Sequence, residues 1–374
     1  MPAASTMRVE GVGGRTFDLA FFFGSALLAY CLGVLILLVP SLVLPLWWAW
    51  VIFVEGPHLL ATWVRTYFDP EERARRRSLL LGSTAILAFG PAAWLTSRLL
   101  GRADVLELFV LASTLWSVHH FVRQHYGIVA VLSRHAHSTP AEHRIDSLFL
   151  YATLWLAYAL FLVANPLNRA QLRLPVDSSF AETSIVWILA GGIALASISY
   201  ISVIFFRVRR QRRILASVYA LCVAMGVTTF GYLVVGSAEP LVQRPITADH
   251  RFLGMSLVVG VCHGIQYLGL AAITSARRAR RRLSESPWKR AALHPWFSYG
   301  CFVVVSVGIW GGLNASSGLA PNVAPFGFDT PTAQLFLAIY WSVLLHHFYL
   351  DQKIWRLGDD APLRFDLNLQ RIEG

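Results

Sequence analysis

From Phe17 onward the chain alternates long apolar runs with short polar breaks that carry most of its arginines. About 20 consecutive apolar residues span a bilayer as a helix. The pattern therefore predicts helical spans at roughly 17–40, 44–64, 78–99, 105–132, 145–165, 183–206, 214–236, 250–275, 295–313 and 333–355. The predicted fold class is all-α, a polytopic transmembrane helical bundle of about ten helices. It forms a single membrane domain over 1–374, with a short N-terminal segment at 1–16 and a tail at 357–374. The longest loop expected is the Gly, Pro and Ser-rich stretch from Asn314 to Thr332, and no internal repeat is evident.

Composition agrees with this reading. The chain is 56% hydrophobic and only 14% charged, which makes lipid rather than water the solvent of most of it. Its net charge of +11 could point to nucleic acid, but the basic residues cluster between apolar runs and not along stripes interleaved with aromatics. Nucleic acid is therefore not an expected partner. The lipid bilayer is.

The same residues set the topology, because cytoplasmic loops carry the excess of Lys and Arg. One set of alternate breaks holds Arg65 with Arg73, Arg75, Arg76 and Arg77, then Arg134 and Arg144, then the run Arg207 to Arg213, then Arg277 to Arg290, then the tail from Lys353. The other set holds only Arg98, Arg102, Arg169, Arg173, Arg244 and Arg251. Both termini are thus expected to be cytoplasmic, and the even-numbered helices to run from outside to inside. The expected location is a bacterial inner (cytoplasmic) membrane, crossed many times. The first span lacks a small-residue cleavage site and reads as a retained helix. Cys31, Cys222, Cys262 and Cys301 lie within apolar runs without paired spacing, which indicates neither a disulfide framework nor a thiolate site.

Candidate chemistry lies inside the spans, where ionisable residues are costly and generally functional. The second span contains Val-Glu-Gly-Pro-His, placing Glu55 and His58 on one helix face with Thr62 and Arg65 further along it. A Glu-x-x-His pair is the ligand unit of helical di-metal carboxylate sites. Pro57 should disturb this helix and free a carbonyl that neighbours must satisfy. In the fourth span, His119 and Arg123 project together, His120 and Gln124 project together, and His125 points away from both pairs. The eighth span offers His263, with Gln266 and Tyr267 close by to orient a neighbouring ligand. The tenth offers His346 and His347, with Asp351 four residues after His347. The His135, His137 and His143 group reads as a solvated loop. Asp351 has a plainer alternative role as a helix-end partner of Lys353 or Arg356.

His58, His125, His263 and His347 all precede basic clusters on even-numbered helices and can share one slab of the inner leaflet. Such a layer suits Fe, Zn or Cu better than Ca or Mg, which want more carboxylates. The expected metal ligands are His58, His119, His120, His125, His263, His346, His347, Asp351 and Glu55, with Arg123 and Tyr267 as catalytic groups.

On Gly56-Pro57-His58, His119-His120 and His346-His347 the chain resembles the polyhistidine membrane oxygenases. These include the fatty-acid desaturases and hydroxylases and, more loosely, the bacterial beta-carotene-cleaving Brp/Blh family. The desaturase boxes with histidines four apart, and their final His-x-x-His-His, are absent. The resemblance implies non-haem iron, possibly paired as di-iron, activating dioxygen beside a hydrophobic substrate channel. It also implies a lipophilic small-molecule substrate and, for a hydroxylase, an electron donor. Arg123 and Arg65 are candidates to hold an anionic head group of that substrate, with snorkelling as the simpler reading. Zinc or haem at the same histidines, the latter in an electron-transfer protein, is the alternative cofactor reading, and a proton-coupled transporter is the alternative function.

Overall fold

The computed structural model describes residues 11–164, 179–210, 214–237, 248–281, 295–317, 330–358 and 360–369. Arg169, Arg173, Arg212, Arg213, Arg244, Arg282, Lys289, Arg290 and most of the Asn314 to Thr332 loop lie outside the described residues. Among the described residues every element is helical. Nine helices are long and apolar enough to cross a membrane: α1 Arg15–Leu38, α2 Pro40–Phe68, α3 Arg77–Leu100, α4 Ala103–His135, α5 Pro140–Ala164, α6 Ser184–Arg210, α7 Leu215–Gly236, α8 His250–Arg281 and α10 Pro331–Ile354. The helix between the last two, α9 Pro295–Ser317, has a shorter apolar stretch, Trp296–Ile309. A short helix, α11 Ala361–Asp366, follows α10.

Helix α8 lies against α1, α2 and α7, while α10 lies against α2, α3 and α4. Large apolar side chains such as Leu27, Leu99, Trp187, Leu195 and Val304 face outward, an arrangement that only a lipid solvent stabilises.

Helix α2 is irregular where it carries chemistry. π-helical turns at Val51–Glu55 and Val64–Phe68 bracket a regular segment at Gly56–Trp63. Such turns are frequent at functional sites because they rotate the residues that follow. Pro57 has no N–H to give to the carbonyl four residues earlier, that of Phe53. The Tyr299 hydroxyl of α9 donates to that carbonyl at 2.9 Å, and Ser306 donates to the Val51 carbonyl at 3.4 Å. Helix α9 thus supplies, through Tyr299, the partner that the carbonyl freed by Pro57 needs.

Two glycines set helix spacing around the site. A Cβ on Gly90 in α3 would sit 1.9 Å from the Ala338 carbonyl oxygen of α10, so only glycine allows that crossing. A Cβ on Gly264 would sit 2.5 Å from a Val54 methyl group, so this glycine lets α8 approach α2 beside His263.

The C-terminal segment is more ordered than a solvated tail. Leu363, Leu367 and Leu369 are buried, and Asp366 accepts from Arg278 Nε at 2.9 Å and pairs with Arg281 at 2.6 Å. His135 is buried beneath this segment, with Nε2 3.0 Å from the Leu367 carbonyl, and His143 Nδ1 lies 3.3 Å from Ser133 Oγ. The expectation of solvated histidines fails for His135, which the C-terminal segment covers, while His137 is exposed and His143 is half-buried.

Candidate metal centre

Four buried side chains from three helices converge between α2, α4 and α10: His58, His120, His347 and Asp351. One ligating atom from each lies within 4.8 Å of all the others. Asp351 Oδ2 is 3.4 Å from His347 Nε2 and 3.9 Å from His120 Nε2. Metal–ligand bonds of about 2.0–2.2 Å place neighbouring ligand atoms about 3–3.5 Å apart, so the Asp351–His347 pair already has the spacing of two ligands on one ion, and the wider members of the cluster would draw in by about an ångström to complete the shell.

The atoms that face one another are also those without partners. Both ring nitrogens of His58, Nε2 of His120, Nε2 of His347 and Oδ2 of Asp351 are buried and make no hydrogen bond. Orphaned buried polar atoms are rare and costly, and an ion among them removes the penalty. Three imidazoles and one carboxylate fit a metal of the Fe or Zn class.

Hydrogen bonds behind the cluster fix which nitrogen is free. Thr62 donates its single proton to Asp351 Oδ1 at 2.9 Å, so at His347 Nδ1, 2.8 Å away, Thr62 can only accept. His347 therefore carries its proton on Nδ1 and leaves Nε2 with a bare lone pair toward the cluster. The Tyr267 hydroxyl donates to Asp351 Oδ1 at 2.9 Å and lies 2.5 Å from the Thr62 oxygen. This turns the other carboxylate oxygen, Oδ2, toward the histidines. Such contacts behind a ligand orient it and raise its basicity.

A second set of residues borders the cluster. The His263 ring stands edge-on 4.9 Å from His58 and 5.1 Å from His120, and its Nδ1 is buried without a partner. Gln124 on α4 donates to the His263 carbonyl at 2.9 Å. His125 lies one ring further out, 6.0 Å from His263. The Gln266 amide nitrogen donates to the Phe22 carbonyl at 3.2 Å, and its oxygen accepts from Tyr219 at 3.0 Å. Tyr219 has then spent its proton and accepts at 2.7 Å from His125 Nδ1, leaving His125 Nε2 bare and without a partner. Glu55 Oε2 is 3.7 Å from His58 Nδ1, on the border of the cluster rather than inside it.

The remaining candidates are placed elsewhere. His119 and Arg123 share an exposed face of α4, where Arg123 donates to the Tyr151 hydroxyl at 3.2 Å. His346 points away from the cluster toward α2 and α3, with Nε2 2.9 Å from the Tyr67 hydroxyl and 3.2 Å from Ser83 Oγ. Arg65 is buried, its guanidinium 3.7 Å over the Trp355 ring and 3.2 Å from Thr274. Asp351 bonds Thr62 and Tyr267 and does not act as a helix-end partner of Lys353 or Arg356. The histidine that joins His58 and His347 from α4 is His120, and not the His125 that depth alone favoured. Depth places a residue along the helix axis, whereas helical phase decides which way it points.

Thr62 and Tyr219 are the functional residues that the sequence concealed. Thr62 showed only as one position of a stripe, and Tyr219 is one of many aromatics in apolar runs. Comparison with models of protein families, with curated proteins and with solved structures finds no match.

Proposed function

We propose that this protein is a membrane-embedded, histidine-ligated metal oxygenase or hydroxylase, with non-haem iron at His58, His120, His347 and Asp351 and a lipophilic substrate drawn from the bilayer. The observation that carries it is the convergence of four buried residues whose unpartnered ligating atoms lie within 4.8 Å of one another. Iron held by these four residues would supply dioxygen activation at the site.

The chain's own residues hold and shape the site. Thr62 and Tyr267 lock the carboxylate of Asp351, and Thr62 holds His347 in the tautomer that ligates. Buried apolar groups such as Leu59, Leu344, Leu345 and Phe348 wall the same region and keep water away. Phe348 stacks on the His120 ring at 4.4 Å and limits its rotation. Apolar walls of this kind favour a substrate that is itself apolar, such as a fatty chain, sterol or isoprenoid. Hydroxylation would further require two electrons from a donor protein or reduced carrier, whereas insertion of both oxygen atoms would not.

Haem fits this geometry less well, because two axial ligands must flank a flat macrocycle and four ligating atoms at this spacing leave no plane for it. The direct test is dioxygen uptake by the iron-loaded protein in lipid nanodiscs, presented with fatty acids, sterols and carotenoids in turn. The expected result is uptake with one class, a product heavier by one or two oxygen atoms, and loss of both in His120→Ala. Uptake that does not change with any lipophile or with that substitution would overturn the reading.

A further inference from the structure

The basic break between α2 and α3 does more than set topology. It packs against the end of α10 and encloses a recess of about 430 Å³ lined by Arg75, Arg76, Leu79, Lys353 and Arg356. Arg76 Nη1 donates to the Lys353 carbonyl at 2.8 Å, which ties the two walls together.

The charges in this recess do not balance locally. Glu72 accepts from Arg75 at 2.7 Å, from Arg76 at 3.0 Å and from Arg278 at 3.0 Å. Asp360 accepts from Arg75 at 2.7 Å and from Arg76 at 2.9 Å. Glu72 and Asp360 thus offset and fix Arg75 and Arg76, while Arg278 has Asp69 and Asp366 as further partners. The positive excess of the recess comes from its other two cations. Lys353 and Arg356 add two more cations, and neither forms an ion pair among the described residues. Lys353 lies 5.3 Å over the Tyr349 ring, and Arg356 Nε donates to the Gln352 carbonyl at 3.1 Å.

The position of the recess identifies its ligand. All four cations lie at or just beyond the ends of spanning helices, where phospholipid headgroups sit, and Leu79 adds an apolar wall continuous with α3. Basic recesses between helix ends at that depth bind anionic headgroups. Pre-oriented guanidiniums match phosphate oxygens in geometry as well as charge. We infer that this recess is a binding site for a phosphate-bearing anion, held by Lys353 and Arg356 against the fixed pair Arg75 and Arg76. The inference is independent of the metal centre and of the reaction proposed there.

The test uses the full chain, delipidated in neutral detergent and titrated separately with phosphatidylglycerol, phosphatidylcholine and inorganic phosphate, with binding read by native mass spectrometry. The expected result is one tightly retained phosphatidylglycerol per chain, little retention of phosphatidylcholine, and about 10- to 30-fold weaker binding in the Lys353→Gln, Arg356→Gln double variant. The Lys353→Arg, Arg356→Lys variant should restore it. Inorganic phosphate that binds as tightly as the lipid, with the same dependence on Lys353 and Arg356, would also support the site and assign it to a soluble phosphate ester. Equal lipid retention by wild type and the Gln variant would overturn the inference, as would binding of poly-glutamate but of neither phosphate source. The Gln variant's melting temperature and metal content separate loss of the site from loss of the fold.

Discussion

Replacing Thr62 with Val tests the hydrogen-bonded support of the centre at almost constant volume. The substitution removes a donor to Asp351 Oδ1 at 2.9 Å and the acceptor of His347 Nδ1 at 2.8 Å. Asp351 keeps Tyr267 as a donor at 2.9 Å, but the His347 Nδ1–H is left buried with no acceptor. An orphaned buried donor costs about 1–3 kcal/mol. In addition, His347 is released to take the other tautomer, with its proton on the nitrogen that faces the cluster. Losing a contact behind a metal ligand typically weakens metal affinity about 10- to 100-fold, or about 1.4–2.7 kcal/mol. The assay is competition for Fe(II) or Zn(II) against a chelator of known affinity, run beside thermal unfolding of the metal-free protein. Thr62→Ser should bind close to wild type, because it restores the hydroxyl. Metal affinity of Thr62→Val within twofold of wild type, in a preparation where His120→Ala has lost the metal, would refute the support assigned to Thr62.

Three further outcomes follow from the same geometry. Substituting the outward-facing pair, as His119→Ala with Arg123→Ala, should leave metal content unchanged, and a loss comparable to that of His120→Ala by elemental analysis would place α4 in a different rotation. Gly90→Ala drives a Cβ to 1.9 Å from the Ala338 carbonyl oxygen and should lower thermal stability by about 1–3 kcal/mol while shifting α10 and weakening the metal site; an unchanged melting temperature would contradict the close crossing. Outside the membrane spans, burial pushes the carboxyls of Glu72 and Asp360 up, but the Arg75 hydrogen bonds, together with the charges of Arg278 and Arg65 on Glu72 and the Leu363 N–H on Asp360, outweigh it and hold both below their ordinary values of 4.5 and 3.8. Depressed folded values stabilise the protein fully above those ordinary values and less as pH falls through the folded ones, so acid should loosen the α2–α3 break from the C-terminal segment. Hydrogen exchange at residues 361–369 from pH 7 to pH 3 should show that opening, with Glu72→Gln more open than wild type at pH 7 and less responsive to acid, and parallel profiles would refute it.

Much of the architecture was legible because bilayer thickness imposes a length on every span. Nine of the predicted spans correspond to long apolar helices among the described residues, with ends moved by a few residues, as where α2 continues to Phe68. Pro57 announced the break in α2, although the partner of the freed Phe53 carbonyl, Tyr299, lies 246 residues away and no local pattern names it. Within one helix, phase was readable: His119 and Arg123 do share a face, and Glu55, His58 and Thr62 do point the same way. Between helices it was not, because mutual rotation is set by contacts such as Gly90 on Ala338 and Gly264 on Val54. The selection of His120 over His125 is a consequence of that rotation. Tyr219 was invisible for a related reason, since one hydroxyl among 12 tyrosines acquires a role only through what it meets in space.

X-ray absorption at the metal edge of the purified, reconstituted protein measures the centre most directly. The account predicts close to one bound metal per chain, with a shell of nitrogen and oxygen at about 2.0–2.2 Å, the outer-shell scattering of about three imidazoles, and its loss in His58→Ala and His347→Ala. A preparation that takes up no metal from iron or zinc, or one whose metal is unaffected by those substitutions, would contradict it.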